Sequence, residues 1–260
     1  MTRLEARDLS FAYQRGFPVL QDVTLSIDEG EVLFVLGANG SGKTTLLDCL
    51  AGLRQPQSGD VLIDGEAIDR LSAAERAKRI GLVPQMHEPV FEYTVGDVVL
   101  MGRAPHLGLF ARPGRADREA VERALEAVGL RDLRTRIYTE ISGGERQLAL
   151  IARGLAQGAA CLLMDEPAAH LDPRYQAEVF QAVSRLSADG FSFVVTSHQP
   201  NSALLYADRA AFLVEGQLSD DGRPSEAITS ESLEAAYGME FELVKDASGS
   251  RAILPLVRRN

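Results

Sequence analysis

"EVLFVLGANGSGKTTLLDCLAGL", residues 31–53, decides the fold. Residues 31–36 form a nearly continuous apolar run, as in a strand covered on both faces. The run stops at Gly37, and residues 37–45, GANGSGKTT, fit the pattern G-x-x-x-x-G-K-[ST]. The stretch TTLLDCLAGL that follows reads as a helix. Strand, glycine-rich turn and helix together form a phosphate cradle. The glycines let backbone N–H groups turn inward around phosphate oxygens, and the helix N-terminus adds positive dipole. Lys43 can reach β- and γ-phosphates, and Thr44 can offer its hydroxyl to Mg²⁺. Gly37, Asn39, Gly40, Ser41, Gly42, Lys43, Thr44 and Thr45 are therefore expected to contact a nucleoside triphosphate.

The same apolar density recurs in "ACLLMDE" (160–166) and "FSFVVTSH" (191–198), each bordered by a helical stretch. Such units build a mostly parallel sheet with helices on its faces. Leu4–Tyr13, Leu20–Asp28 and Asp60–Asp64 instead alternate apolar and polar residues, which predicts an N-terminal antiparallel β subdomain. From about 87 to 157 no buried strand occurs. Val95–Met101, Arg118–Val128 and 142–156 read as amphipathic helices, hence an inserted α-helical subdomain. The expected class is α/β, and the expected division has three parts. Residues 1–86 and 158–218 make the core with its β subdomain, 87–157 the helical subdomain, and 219–260 an acidic, weakly patterned extension. That extension carries a short helix near Ser232–Tyr237.

The other buried runs end in chemistry. "CLLMDEP" puts Asp165 and Glu166 at the C-terminal end of a strand, the edge of the sheet that the phosphate loop shares. Asp165 can hold Mg²⁺, and Glu166 can polarise a water for attack on the γ-phosphate. His198 ends the next strand and can contact the same phosphate. Gln85 closes the strand "IGLVPQ" and can bridge metal or water to the helical insert. "ISGGERQLALIARGL", 141–155, starts a helix with Ser142 as N-cap and Glu145 three residues on, a capping box. Gly143 and Gly144 lie in its first turn, although glycine disfavours helix by about 1 kcal/mol relative to alanine. Without Cβ atoms the backbone can approach a neighbour closely, so this is a second phosphate-binding helix end.

Composition narrows the classes. The chain has 260 residues, 45% apolar and 25% charged, as in an ordinary globular protein. Its formal net charge is −10, and short basic clusters such as Arg131, Arg134 and Arg136 make no stripe for nucleic acid. No apolar run approaches the roughly 20 residues that span a bilayer, and MTRLEARDLSF holds no apolar signal region. Cys49 and Cys161, both in apolar runs, are expected to be reduced core residues.

The order of "GANGSGKT", Gln85, "ISGGE", "LLMDEP", "HLD" and His198 resembles the ATP-binding-cassette ATPases, over nearly all of the chain to about residue 215. The resemblance implies ATP and Mg²⁺ as cofactors, and a head-to-tail dimer of two copies. In it, Ser142, Gly143, Gly144 and Glu145 face the ATP held by the partner. It also implies that Tyr13 stacks on adenine and that Asp172 couples the two sites. Ile141 stands where the family usually has Leu, and Gln199 where an acid commonly follows the histidine. His170 sits in the coupling loop. None of these removes a catalytic group.

Within that family a single cassette without sustained heptads is unlike the types active in translation or DNA maintenance, the main alternative, and "ISGGE" is unlike a small-molecule kinase. "FEYTVGDVVLMGRAPHLGLF" resembles the type II importers of ferric siderophores, haem, cobalamin and molybdate. This implies a permease dimer docked on the loop after Gln85, around Val90, Phe91 and Tyr93, with Val98, Leu100 and Met101 beside it. A substrate-binding protein would act indirectly, and the chain would sit peripherally on the cytoplasmic face of the inner membrane. "SHQPNSALLYADRAAFL" and "ITSESLEAAYGMEFE" lean toward the molybdate/tungstate branch.

Overall fold

The computed structural model describes residues 3–85, 92–108, 110–245 and 251–256. β1 (Leu4–Gln14) and β2 (Phe17–Ile27) form a hairpin. β3 (Val32–Leu36) leads through the glycine-rich loop into α1 (Lys43–Leu50). β4 (Ser58–Ile63) and β5 (Glu66–Ala67) return to the hairpin, giving an antiparallel sheet of order β2-β1-β4-β5. α2 (Ala73–Arg79) runs into β6 (Ile80–Val83). Between β6 and β7 (Cys161–Asp165) lie α3 (Val95–Leu100), α4 (Arg115–Ala127) and α5 (Gly143–Gln157). α6 (Pro173–Ala188), β8 (Ser192–Ser197), α7 (Pro200–Tyr206), β9 (Arg209–Val214) and β10 (Gln217–Gly222) follow. The chain continues through α8 (Pro224–Ala227), α9 (Ser230–Tyr237) and the hairpin of β11 (Phe241–Lys245) and β12 (Arg251–Pro255).

The second sheet has the order β10-β9-β3-β8-β7-β6 and is parallel except where β10 turns back on β9. Every residue of β3 and β8 is buried, and their side chains alternate between two cores. Val32, Phe34, Leu36, Phe193 and Val195 face α5, α6 and α7. Leu33, Val35 and Val194 face the antiparallel sheet and α1, in a core that also holds the free Cys49 and Cys161. The mixed α/β class with its mostly parallel sheet is the one the sequence indicates.

Register places the site. Leu36 pairs with Ser197, and Asp165 with Thr196. Gly37, Glu166 and His198 each follow immediately, so all three emerge on one edge. Two elements differ from their sequence outlines. α4 starts at Arg115 rather than 118, because its first turn is polar and is capped by Asp117, which accepts from the Gly114 amide at 2.9 Å. The stretch after 219 is regular rather than weakly patterned. β10 is a mostly exposed, acidic edge strand, so no alternation marks it.

Candidate active site

The phosphate loop is shaped by what its glycines lack. A Cβ on Gly37 would lie 2.5 Å from the Leu213 carbonyl oxygen, and one on Gly42, at φ +107°, 3.0 Å from that of Val19. Lys43 opens α1 and is only 5% exposed. Its ammonium donates to the carbonyls of Gly37 (2.8 Å) and Ala38 (2.9 Å) and lies 3.3 Å from Glu166 Oε1. The Ser41 hydroxyl is buried in the same loop with no partner among the described residues. A buried cation and an unmatched buried hydroxyl in a glycine cradle fit a polyphosphate.

The carboxylates beside the loop are held by different partners. Thr44 donates to Asp165 Oδ2 at 2.8 Å, and Thr196 to Oδ1 at 2.7 Å. These hard oxygen donors suit Mg²⁺, which keeps only one or two protein carboxylates and completes its shell with waters and phosphates. Glu166 adopts a left-handed φ of +44°, its amide donating to Thr196 Oγ1 at 3.1 Å. Its Oε2 meets His198 Nδ1 at 2.5 Å. A carboxylate turned between Lys43 and His198 is placed to take a proton from a water near a γ-phosphate. Thr196 was not marked by the sequence. A threonine inside a buried strand reads as a β former, and only its place next to a strand end hints at more.

Lys43, Asp165, Glu166 and His198 line a cavity of about 640 Å³ that also reaches Tyr13, Asn39 and Gln85. Tyr13 is 56% exposed at its rim. Its hydroxyl shares a hydrogen bond with Thr45 Oγ1 (3.0 Å), and its ring lies edge-on to Phe11 and 4.8 Å from the Arg54 guanidinium. Gly40 and Thr44 also line the wall. Gln85 is held by His170, Nε2 to Nε2 at 3.2 Å.

The start of α5 does not line that cavity, but Gly143 shares an adjoining pocket of about 160 Å³ with Gln85, Glu166 and His170. Ser142 Oγ accepts from the Glu145 amide, and Glu145 accepts from the Ser142 amide at 2.7 Å, so the capping box is formed. Gly143 is half-buried, whereas Gly144 is buried. A Cβ on Gly144 would lie 2.5–2.8 Å from the Tyr175 side chain. Gly144 thus needs its bareness for its own chain, a cause the sequence does not reveal. Asp172 caps α6, accepting from the amides of Arg174 (3.0 Å) and Tyr175 (3.2 Å). Val90 and Phe91 lie outside the described residues. Tyr93 is not an exposed loop aromatic: it is half-buried against the core, and its carbonyl accepts from the Tyr138 amide. Val98 is fully buried in that core, while Met101 is exposed.

Residues 20–169 match the ABC transporter family. The chain is 36% identical over 260 residues to the ferric enterobactin transport ATP-binding protein FepC of Escherichia coli, covering 99% of this chain and 96% of FepC. It is 42% identical over 228 residues to the hemin import ATP-binding protein HmuV of Pseudomonas fluorescens, covering 85% and 88%. A chain of a metal-chelate type ABC transporter in an inward-facing conformation superposes with a TM-score of 0.87, 32% identity and 99% coverage of both. A dimeric bacterial ABC transporter cassette, MJ0796, aligns with a TM-score of 0.72 at 28% identity over 85% of this chain and 98% of its own. With a phosphate loop, a paired Asp–Glu and a histidine on one sheet edge, and likeness along its whole length, the chain belongs to the ABC transporter family as an ATP-hydrolysing subunit.

Proposed function

We propose that this chain drives an importer of a metal chelate such as a ferric siderophore, haem or cobalamin, working as a head-to-tail pair with ATP between the copies. The observation that carries the reading is the convergence of Lys43, Thr44–Asp165 and Glu166–His198 on one edge, in a chain alike end to end to importer ATPases. Among the described residues no helix is long and apolar enough to cross a membrane. In this reading a separate permease dimer spans it, and the chain sits on its cytoplasmic face. A molybdate or tungstate cargo is the second reading, favoured by the 197–213 and 228–242 stretches of sequence.

Lys43 and the loop from Gly37 to Thr45 hold the phosphates, Tyr13 stacks on the base, and Ser142, Gly143, Gly144 and Glu145 close on the partner's nucleotide. Thr44 and Asp165, with Gln85, would hold Mg²⁺, which would supply positive charge against the phosphates. Glu166 takes the proton of the attacking water, His198 steadies the γ-phosphate, and Asp172 links the two sites. The core, helical and C-terminal parts divide near residues 86, 157 and 218.

The test is recovery of the permease from native membranes with this chain as bait, followed by uptake assays in vesicles. Uptake of ferric siderophore, haem or cobalamin is expected, and preferential molybdate uptake would favour the second reading. Recovery of a ribosome or DNA complex, or uptake of none of these, would overturn the importer assignment.

A further inference from the structure

The segment after β10 has no part in the chemistry above, yet it meets the site at two places. α9 packs on β9, the strand whose Leu213 carbonyl crowds Gly37. Tyr237, the last residue of α9, has its hydroxyl facing the backbone of Gly37 and near the Glu166 carboxylate. Its ring packs against the core under the parallel sheet and meets Phe241 at 5.7 Å. Its hydroxyl is shielded from water, and among the described residues no group meets it in full hydrogen-bond geometry. Burial raises the pKa of this phenol, the Gly37 amide facing it pulls the value back, and the nearby Glu166 charge raises it further.

The second contact lies behind His198. Asn201, in α7, donates from Nδ2 to the Ile253 carbonyl (3.0 Å) and accepts from the Ile253 amide at Oδ1 (2.8 Å). The side-chain amide thus pairs with β12 as a neighbouring strand would. α7 begins at Pro200, two residues after His198.

We propose that the C-terminal segment is a brace for ATP hydrolysis: Tyr237 positions the start of the phosphate loop at Gly37, and the Asn201–Ile253 pair positions the helix behind His198. Both are positioning residues, since neither lines the nucleotide cavity. A buried phenol lacking a full partner is unfavourable, and phenylalanine would fill the same space without that deficit. The hydroxyl gains its partner when the loop tightens on a phosphate and the Gly37 amide closes onto it. The brace therefore acts on nucleotide binding rather than on the empty fold. The proposal concerns ATP hydrolysis by this chain and holds whatever the cargo.

The test uses the purified full chain, its steady-state ATPase kinetics and its melting temperature with and without ATP and Mg²⁺. Tyr237→Phe should melt at or above the parent without nucleotide. Its ATP-induced rise should shrink, and KM for ATP should increase about threefold to tenfold, the range of one modest hydrogen bond, with kcat within about twofold. Asn201→Ala should show the opposite split, kcat lower by about threefold to tenfold with KM nearly unchanged. A parent-like KM in Tyr237→Phe, or a loss in either variant that moves kcat and KM together in step with melting, would overturn the proposal.

Discussion

Glu166 is the one residue of the site whose backbone is left-handed without being glycine, a conformation that costs of order 1–3 kcal/mol. Its return is reach: one carboxylate spans Lys43 and His198. Glu166→Gln keeps the shape and removes the carboxylate proposed as the base, so phosphate release should slow by about 10²–10⁴-fold. Equilibrium ATP binding should persist, and hydrolysis near the parent rate would reassign the base. The thiols make a plainer case. Burial pushes Cys161 up to about 12, and burial with the Asp48 charge pushes Cys49 up to about 11. Neither should react with iodoacetamide at pH 8 until the chain is unfolded, which mass spectrometry reads directly. The reactive types at strand ends, Asp165, Glu166 and His198, were legible because charged or titratable residues closing buried runs stand out. Thr196 and Tyr237 were not, since each is ordinary for a strand or a helix face and acts only through three-dimensional neighbours.

Among the elements, α5 shows where sequence reasoning stops. Its capping box and apolar periodicity announce the helix, but the reason for its second glycine is Tyr175, 31 positions on in α6. Gly144→Ala should destabilise the chain by about 1–3 kcal/mol through overpacking. Urea unfolding in a Tyr175→Ala background should show a smaller penalty, and equal penalties would dissociate the two residues. The helical insert is further tied by Arg103, which donates to Asp117 at 2.9 Å and to the Ala156 carbonyl at 2.7 Å. The Arg103 hydrogen bond first, then that from the Gly114 amide, holds the Asp117 carboxyl below its usual range. A carboxylate with a depressed folded pKa stabilises the fold above its unfolded pKa and loses that contribution as pH falls through the folded value. Asp117→Asn should therefore lower the melting temperature at pH 7, and the gap to the parent should narrow as pH drops below about 4. A gap independent of pH would assign the effect to packing.

At the scale of the molecule, the buried runs and the alternating runs were enough to separate a parallel sheet from an antiparallel one. Of the C-terminal elements the sequence marks the helix near Ser232–Tyr237, found as α9, but not β10, which is acidic and mostly exposed, since an edge strand needs no buried face. The central strands send alternate side chains into two cores, one shared with α5, α6 and α7, the other with the antiparallel sheet and α1. Neither core can lose its packing while the strands between them keep theirs. Subdivision by sequence thus does not imply subdivision in cooperativity: the chain should melt as one calorimetric event, with no separate endotherm for the helical insert. Tyr13 approaches the cavity from one layer and His198 from the sheet edge, so a nucleotide filling it would bridge layers rather than ornament one of them. At 100 times its dissociation constant ATP with Mg²⁺ should add about 2.7 kcal/mol to the whole, displacing that single event to higher temperature without splitting it.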